Sequence, residues 1–234
     1  MSSIDIMVPV YNEEKCLAEN IEKLRQFLIG SMSSYDYRIV IVDSGSIDGT
    51  LAQARALSTL HPEVALMHLD VKGRGYALRE AWRKSSADIV SYMDVDLSTE
   101  LGDFPGLVSA IDEDGYDIAI GSRLISGCRV KRSFKRTSLS RSYNLLIRAM
   151  FRTTFRDAQC GFKALRREVT DKLIPLVKDE AWFFDTELLI LAEKQGYRIK
   201  EIPVTWTEDV TSTVNIPQTV TQDIRGLVRL RKSL

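Results

Sequence analysis

The chain is poor in the features that mark secreted, thiolate-metal and membrane-spanning proteins. Its 234 residues include only three cysteines, Cys16, Cys128 and Cys160, and no CxxC pair. That usage argues against a disulfide framework and indicates reduced thiols in a cytosolic setting. No run approaches the roughly 18 consecutive apolar residues that a membrane span requires. The first residues enter a strand-like segment directly, so we expect no signal peptide.

Acidic residues are missing from one long segment. The chain carries 32 basic and 32 acidic residues, but residues 118–156 contain no Asp or Glu. The basic residues of this segment are Arg123, Arg129, Lys131, Arg132, Lys135, Arg136, Arg141, Arg148, Arg152 and Arg156. Such a density predicts an anionic partner, namely phosphate, a lipid headgroup or nucleic acid. Nucleic acid fits least well, because few aromatic side chains for base stacking are interleaved with the cations.

Apolar runs typical of buried strands alternate with amphipathic, helix-like segments. Strands are predicted at 4–10, 38–43, 64–69, 89–93, 118–123, 161–165 and 199–207. Helices are predicted at 13–28 with Asn12 as the cap, after 50, and at 75–85, 142–155, 167–177, 185–195 and 217–234. This alternation predicts an α/β fold with a mostly parallel central sheet and helices on both faces. Since no repeat or linker interrupts the pattern, we expect a single domain.

The fourth predicted strand stops at two carboxylates, Asp94 and Asp96. The end of a buried strand lies at the edge of the sheet, where open α/β folds bind their ligands. Carboxylate oxygens without a nearby His or Cys suit Mg²⁺ or Mn²⁺. The spacing alone is weak evidence, since Asp112 and Asp114 share it in a predicted solvated turn. The position at the strand end therefore carries the prediction of a metal site.

Loops after the first four strands supply candidates for a sugar-nucleotide site. Such a ligand needs a clamp for its base, acids for its ribose and a metal for its diphosphate. Taken singly, Asp43 suits a helix cap and Tyr11 suits packing. Their common position at the edge of one sheet favours binding instead. The candidate binding residues are Pro9, Tyr11, Glu13, Asp43, Lys72, Gly73 and Asp94.

These motifs resemble those of a known family. Residues 9–14 (PVYNEE), 42–50 (VDSGSIDGT) and 94–96 (DVD) look like those of the inverting family-2 glycosyltransferases, which have the Rossmann-like GT-A fold. Later motifs are similar to the polyprenyl-phosphate sugar transferases, especially the dolichyl-phosphate glucosyltransferase branch. These are GSR at 121–123, RSFKR at 132–136, DAQCGFK at 157–163, WFFDTELL at 182–189 and VTW at 204–206. The resemblance covers nearly the whole chain.

The resemblance implies a hexosyltransferase. Residues 1–125 would bind the nucleotide sugar, and residues 126–234, with the basic segment and the C-terminal helix, would bind the acceptor. The implied reaction is metal-dependent, inverting transfer of a hexose to a polyprenyl or dolichyl phosphate, with glucose from UDP-glucose as the best fit. Asp94 and Asp96 would hold Mg²⁺ or Mn²⁺ beside the diphosphate.

Three side chains are expected to carry the chemistry, Asp96 at the metal, Arg123 at the phosphates, and Asp185. Arg132 and Arg136 are expected to bind the acceptor phosphate, because guanidinium groups grip phosphate oxygens bidentately. Asp185 stands at the start of a predicted helix, where a hydroxyl acceptor would need a base. The alternative for Asp185 is a helix cap.

The chain departs from the family pattern at several positions. The family usually has a second Asp at Ser44, so the contact to a pyrimidine base would rest on Asp43. Ser98 stands where the mannosyl branch tends to have Gln, which favours glucose. A basic residue is common at Thr213, and its absence weakens one expected phosphate contact.

Several alternatives stay open at the level of sequence. A GDP-mannose-dependent polyprenyl-phosphate mannosyltransferase, or a family-2 transferase acting on a glycan hydroxyl, would share most of these motifs. A sugar nucleotidyltransferase would need a Gly-rich, Arg-containing loop after the first strand, which residues 9–12 do not form. The basic amphipathic helix at 217–234 either lies on the cytoplasmic face of a membrane, as in a peripheral protein, or packs on the core.

Overall fold

The computed structural model describes residues 1–208 and 216–234 and is built on a seven-stranded sheet. The strands are β1 (Ser3–Val10), β2 (Asp36–Ser44), β3 (Val64–Leu69), β4 (Ile89–Met93), β5 (Ile118–Ser122), β6 (Arg129–Lys131), β7 (Phe162–Arg166), β8 (Ile199–Pro203) and β9 (Thr205–Thr207). The sheet has the order β3-β2-β1-β4-β7-β5-β8, while β6 pairs with β9. Only β7 runs antiparallel to its neighbours in the sheet. The predicted mostly parallel sheet is confirmed.

Helices cover both faces of this sheet. They are α1 (Leu17–Ser31), α2 (Thr50–Leu60), α3 (Arg74–Lys84), α4 (Phe104–Asp112), α5 (Phe134–Phe151), α6 (Arg167–Leu173), α7 (Phe184–Lys194) and α8 (Ile216–Ser233). Successive strand residues point to opposite faces, so Met7 joins one core cluster while Ile6 and Val8 join the other. Helices α1 and α4 close the cluster of Ile6, and α3 and α5 to α8 close that of Met7.

The topology gathers the polar loops at one edge of the sheet. The parallel strands β1 to β4 end there at Val10, Ser44, Leu69 and Met93. Because β7 is antiparallel to β4 and begins with Phe162 opposite Met93, the segment before β7 reaches the same edge. Strands from both halves of the chain therefore contribute to one edge, as expected for a single domain.

The basic segment is more helical than the sequence predicted. Helix α5 begins at Phe134 instead of 142, because Ser133 caps it by accepting a hydrogen bond from the backbone N–H of Arg136 at 3.4 Å. The predicted strand at 199–207 is also divided, since β8 and β9 belong to different sheets. Helix α4 and strand β6 were not predicted.

Helix α8 packs one face on the core. Leu227 and Leu230 are buried among residues of the sheet and α7. A Cβ atom at Gly226 would come within 2.4 Å of the ring of Phe183, so only glycine permits this approach. The core-packing alternative therefore holds for this face of the helix.

The opposite face of α8 remains accessible. Ile224 and Val228 are exposed, and the half-buried Arg229 reaches back to Glu187 with a 2.8 Å hydrogen bond. Among the helices in the described part of the chain, none combines the length and apolarity needed to cross a membrane.

Replacing Leu227 with Ala is expected to lower the free energy of unfolding by about 2–5 kcal/mol, because the lost methyl groups are buried in the core. The matched change Val228→Ala removes methyl groups from a side chain that is 45% exposed, and should cost less than about 0.5 kcal/mol. Urea unfolding followed by circular dichroism measures both values. Equal effects of the two changes would contradict the packing of α8.

Candidate active site

The loop after β1 is tied to the loop after β2. The backbone N–H of Asn12 donates to Ser46 Oγ at 3.0 Å, and its side-chain oxygen accepts from the N–H of Ile47 at 2.9 Å. Glu14 accepts a hydrogen bond from the N–H of Gly49 at 2.7 Å. Asn12 itself adopts a φ of 56°, a conformation that Asn tolerates better than most residues. Asn12 thus joins two loops and does not cap α1, so that prediction was wrong.

Pro9 and Glu13 lie at the two ends of the first loop. Pro9 is still within β1, paired in register with Val42 of β2. The backbone N–H of Glu13 donates to Thr50 Oγ1 at 2.7 Å, which fixes the loop against the start of α2. Both residues lie at the predicted edge, and their part in binding a ligand stays a prediction.

Tyr11 and Lys72 meet across this edge. The Lys72 ammonium lies 3.7 Å from the centroid of the Tyr11 ring, within the range of a cation–π contact. Gly73 begins the turn into α3 close to the segment before α7, where a Cβ atom would stand 2.8 Å from the carbonyl oxygen of Glu180. Close packing thus explains the glycine, and the turn delivers Lys72 to the Tyr11 ring.

Asp43 is a fully buried carboxylate with only one oxygen satisfied. Its Oδ2 lies 2.6 Å from Nδ1 of His68, its partner in the register of β2 with β3. Its Oδ1 is buried without a hydrogen-bond partner. A buried polar atom in this state costs about 1–3 kcal/mol. The atom is therefore suited to accept a hydrogen bond from a ligand.

Asp94 follows β4 and forms an ion pair with Arg74 of α3. The Arg74 Nη2 atom lies 2.6 Å from Asp94 Oδ1. A Cβ atom at Gly161 would lie 1.9 Å from Asp94 Oδ2, so the carboxylate occupies space that only a glycine leaves free. Desolvation raises the pKa of Asp94 to about 6; Arg74 opposes the rise, and the nearby charge of Asp96 adds to it.

Asp96 is the exposed member of the pair. Its Oδ1 accepts a hydrogen bond from the N–H of Ser98 at 2.9 Å. Across residues 1–208 and 216–234, no three His, Cys, Asp or Glu side chains are grouped so as to hold a metal ion by themselves. Two neighbouring carboxylates nevertheless fit Mg²⁺ or Mn²⁺, because such ions take one or two carboxylates together with substrate phosphates. Asp94 and Asp96 therefore fit a metal that shares its coordination with a diphosphate.

A buried ammonium group lies behind Asp94. Lys163 is fully buried, and its Nζ lies 2.9 Å from Asp185 Oδ1, 2.6 Å from the carbonyl oxygen of Cys160 and 3.2 Å from the Tyr92 hydroxyl. Tyr92 donates its own hydroxyl hydrogen to the same carboxylate oxygen. Helix α7 is capped at Phe183 without a side-chain bond, so the capping alternative for Asp185 was wrong. Its role as a base stays a prediction.

A cavity of about 390 Å³ opens at this edge and is bordered by α5, α7 and α8. Its polar lining includes Arg74, Arg123, Arg132, Arg136, Asp185 and Asp223. Its apolar lining includes Leu139, Leu146, Trp182, Trp206, Val220 and Ile224. Arg74 also contacts Asp94, so the cavity adjoins the carboxylate pair. The site can therefore hold an anionic group and an apolar chain together.

Arg123 is held by a buried carboxylate. Its Nε and Nη2 atoms donate to the two oxygens of Asp157 at 2.8 and 2.9 Å, and its backbone N–H donates to Asp157 at 2.9 Å. Asp157 is fully buried, and the favourable charge and hydrogen bonds of Arg123 outweigh desolvation and lower the pKa of Asp157. One edge of the guanidinium group is occupied by this pair. The rest of the group borders the cavity.

Arg132 and Arg136 flank the start of α5. The Arg132 Nε donates to Thr137 Oγ1 at 3.1 Å, while its Nη2 is buried without a partner. Desolvation and the neighbouring Arg123 lower the pKa of Arg132, so an anion beside it would stabilise its charge. Arg136 pairs with Glu208 at 2.9 Å. The dipole of this helix start favours an anion, although the N–H of Arg136 is already bonded to Ser133.

The structure brings most predicted residues to one edge and adds others. Arg123, Arg132, Arg136 and Asp185 border a single cavity, while Asp43 stands beside His68 in a different part of the same edge. Thr213 lies outside the described residues. Site residues that the sequence did not reveal are His68, Arg74, Tyr143, Gln159, Trp182 and Asp223. For Trp182 and Gln159 the recognised motifs at 182–189 and 157–163 were an available signal.

A Rossmann-like, mostly parallel sheet with a carboxylate pair at its edge and a cationic cavity beside it defines a GT-A glycosyltransferase. The family model described as Glycosyl transferase family 2 matches residues 5–174. The chain belongs to this family and is a glycosyltransferase.

Curated relatives include transferases that are named for lipid phosphates. The chain is 32% identical over 225 residues to glycosyltransferase AglD of Haloferax volcanii, covering 96% of this chain and 35% of AglD. It is 32% identical to a dolichyl-phosphate beta-glucosyltransferase of Drosophila melanogaster, covering 88% of this chain and 67% of that protein. It is 29% identical to a dolichol-phosphate mannosyltransferase of Pyrococcus furiosus, covering 98% of this chain and 64% of that protein. The chain thus spans about a third of AglD and about two thirds of the other two.

A solved structure with the same fold is glucosyl-3-phosphoglycerate synthase from Mycobacterium tuberculosis. The two chains superpose with a TM-score of 0.74 at 18% sequence identity, covering 98% of this chain and 78% of the other. That crystal structure contains Mn²⁺, uridine diphosphate and phosphoglyceric acid. At this identity the likeness establishes the fold alone.

Replacing Lys163 with Met is expected to lower the free energy of unfolding by about 3–5 kcal/mol, because Asp185 is left buried without its countercharge. Adding Asp185→Leu should recover much of that loss. The matched exposed change Lys23→Met, which breaks a surface pair with Glu19, should cost less than about 1 kcal/mol. Urea unfolding measures all variants. Additive losses in the double variant would contradict the pairing of Lys163 with Asp185.

Proposed function

We propose that the protein transfers a hexose from a nucleotide diphosphate sugar to a polyprenyl phosphate, with inversion at the anomeric carbon. The preferred donor is UDP-glucose. The observation that carries the proposal is the cavity in which four arginines and an apolar lining meet next to Asp94 and Asp96. A lipid phosphate has the matching chemistry, an anionic head joined to an apolar chain. The names of the dolichyl-phosphate relatives support the same acceptor class.

The hydrogen bonding of Asp43 favours uracil over guanine as the base of the donor. With Oδ2 engaged by His68, only Oδ1 is left to accept a hydrogen bond. Uracil presents one ring N–H, whereas guanine presents a ring N–H and an amino group side by side and would use both carboxylate oxygens. Tyr11 offers a ring face for the base at the same edge, with Lys72 against it. Residues 1–125 thus form the donor part in this proposal.

We assign Asp96 and Asp94 as the ligands of the divalent metal. Mg²⁺ or Mn²⁺ held there supplies Lewis-acid stabilisation of the leaving diphosphate, worth several kcal/mol. The Mn²⁺ and uridine diphosphate in the structural neighbour support this assignment. Arg74, ion-paired with Asp94, adds a fixed positive charge between the carboxylates and the cavity.

The acceptor phosphate is assigned to Arg132 and Arg136 at the start of α5. Arg132 has a buried, unpartnered Nη2, and burial and the charge of Arg123 lower its pKa more than Asp157 and Glu208 raise it. Arg123 is fixed by Asp157 and turns its remaining surface to the cavity. These groups can hold two mutually repelling phosphates in line for reaction. The acceptor part of the chain is then 126–234.

The acceptor determines how much proton transfer the enzyme must perform. A phosphate monoester has a second pKa of about 6 and is largely dianionic at neutral pH, so a strong base is not required. One of its oxygens attacks the anomeric carbon as the bond to the nucleoside diphosphate breaks. In this proposal Asp185 supplies the countercharge for Lys163 and shapes the cavity.

Two alternatives use the same fold. A glycan hydroxyl acceptor would need a strong base, but Lys163 and Tyr92 both bind Oδ1 of Asp185, and their hydrogen bonds weaken this carboxylate as a base. A GDP-mannose-dependent polyprenyl-phosphate mannosyltransferase has the support of the Pyrococcus furiosus relative's name. The single free oxygen of Asp43 favours UDP-glucose over GDP-mannose.

A lipid surface is the matching partner for the outer faces of α5 and α8. Phe134, Leu145 and Ile224 are 87%, 65% and 49% exposed, and Leu146 and Ile224 also line the cavity. Basic side chains of the same helices accompany them, a combination that suits peripheral binding to anionic lipids. We place the protein on the cytoplasmic side of a membrane, in keeping with three free cysteines.

Asp96→Ala is expected to reduce transfer by at least about a hundredfold while leaving the fold intact. The reason is that the metal ion that stabilises the leaving diphosphate loses one of its protein ligands. The measurement is organic-extractable label after incubation with labelled UDP-glucose or GDP-mannose, Mn²⁺ and polyprenyl phosphate. Asp114→Ala is the matched control. Asp114 follows Asp112 by two residues, as Asp96 follows Asp94, but it lies in an exposed turn.

Wild-type protein that yields no extractable label with either donor would remove the proposed function. If the label forms equally well in the presence of a chelator, the reaction does not depend on a metal, and the proposed role of Asp94 and Asp96 is contradicted. Wild-type turnover by Asp96→Ala would place the metal ligand elsewhere. More label from GDP-mannose than from UDP-glucose would overturn the choice of donor.

The paired change Phe134→Ser and Ile224→Ser is expected to weaken binding to vesicles of anionic phospholipid by at least about tenfold, since each apolar side chain contributes about 1.5–3 kcal/mol when fully buried. The control is Leu60→Ser, which removes a side chain that is 71% exposed at the end of α2. Vesicle sedimentation measures the partition. Deleting α8 is not a suitable test, because Leu227 and Leu230 belong to the core. Unchanged partition in the paired variant would rule out this membrane face.

A further inference from the structure

The cavity is lined by four arginines, and three of them already have a carboxylate partner. In the third of these pairs, the Nε of Arg136 lies 2.9 Å from Oε1 of Glu208. The fourth arginine, Arg132, donates its Nε to the hydroxyl of Thr137, and its Nη2 is buried without a partner. Within the described part of the chain, the cavity therefore offers a ligand one arginine whose charge no bonded carboxylate matches.

Glu208 is fixed in its place beside Arg136. Its backbone N–H donates to the carbonyl oxygen of Lys131 at 2.9 Å, which extends the pairing of β9 with β6. Its Oε2 accepts a hydrogen bond from the backbone N–H of Ser133 at 2.9 Å, while Oε1 faces the guanidinium group. The side chains of Glu208 and Arg136 are 18% and 34% exposed. Because its backbone and both carboxylate oxygens are bonded, Glu208 neutralises Arg136 before a ligand binds, unlike a mobile surface ion pair.

The other acids in the lining of the cavity do not neutralise Arg132. Asp185 is engaged by Lys163. Burial raises the pKa of Asp223, and the charges that act on this acid are those of Asp179 and Asp185 rather than those of the arginines. Asp223 therefore stands apart from the arginines, and the charge of Arg132 is left for a ligand.

We propose that Glu208, acting through Arg136, is a positioning residue that makes the acceptor site select a phosphate monoester against a diphosphate ester. This role rests on the proposed function, because it places the acceptor phosphate beside Arg132 and Arg136. A polyprenyl diphosphate carries a second phosphate group and a further negative charge, which need a second uncompensated cation. With Arg136 already paired, the added charge is repelled by the carboxylate of Glu208 instead. The site thus discriminates through a repulsive element of its own.

The test compares two lipids with the same isoprenoid chain, farnesyl phosphate and farnesyl diphosphate. Displacement of labelled farnesyl phosphate in equilibrium dialysis gives both dissociation constants for one site, and metal is left out so that it cannot attract the diphosphate. Wild type is expected to bind the diphosphate less tightly than the monophosphate. Glu208→Gln keeps an oxygen for the N–H of Ser133 but removes the charge, and it should shift the ratio of the two constants toward the diphosphate by at least about tenfold.

A double variant and a matched control separate charge from structure. Adding Arg136→Gln to Glu208→Gln removes the cation that the single change releases, so the ratio should return to within about threefold of the wild-type value. Asp171→Asn breaks a pair with Arg167 on α6, where the side chain of Asp171 is 55% exposed. This control should leave the ratio unchanged.

An unchanged ratio in Glu208→Gln, even with both lipids bound more weakly, would assign Glu208 a structural role and overturn the inference. Tighter binding of the diphosphate by wild type would overturn it as well, and so would a shifted ratio that persists in the double variant. If wild type binds farnesyl phosphate selectively but transfers no hexose to it, the proposed function fails while the selectivity set by Glu208 stands.

Discussion

The neutralisation of Lys163 is the interaction on which the site depends. A buried ammonium group costs several kcal/mol unless it is paired and hydrogen-bonded. Here the carboxylate comes from α7, the hydroxyl from Tyr92 in β4 and the carbonyl from the segment before β7. The antiparallel register of β7 makes this possible, because it places Lys163 opposite Tyr92. One buried charge therefore fixes three elements, and with them the position of Asp185 at the cavity.

The arginines around that cavity are of two kinds, those already paired with a carboxylate and one that is not. Arg74 and Arg123 each hold a carboxylate, Asp94 and Asp157, so their positions are set before any ligand binds. Arg132 has a hydroxyl partner and a buried Nη2 without one, and its pKa is lowered. Paired arginines give the cavity its shape, and the unsatisfied Nη2 of Arg132 is the donor left for the anion that we propose. Such preorganisation reduces the entropy cost of ordering side chains when a ligand binds.

Local patterns in the sequence were sufficient to predict the seven strands of the central sheet, though not β6, and the edge at which the first four end. Asp43 and Asp94 were placed correctly because strand ends are marked by an abrupt change from apolar to polar residues. The first two turns of α5 were missed, since residues 134–141 lack a regular apolar spacing and only the cap at Ser133 marked the start. The contacts of Asp223 with Gln159 and of Asp43 with His68 join residues far apart in sequence, and no local pattern encodes them.

Arg74 connects the carboxylate pair with the cavity, since its guanidinium group pairs with Asp94 and also borders the cavity. Any ligand that changes the charge around Asp94 changes the free energy of this shared cation, and hence the affinity of the cavity for an anion. Thermodynamic linkage makes the effect reciprocal, so an anion in the cavity alters binding at Asp94 by the same factor. The two proposed ligand sites would thus be coupled through a single side chain, and cooperativity between them would require no movement of the backbone.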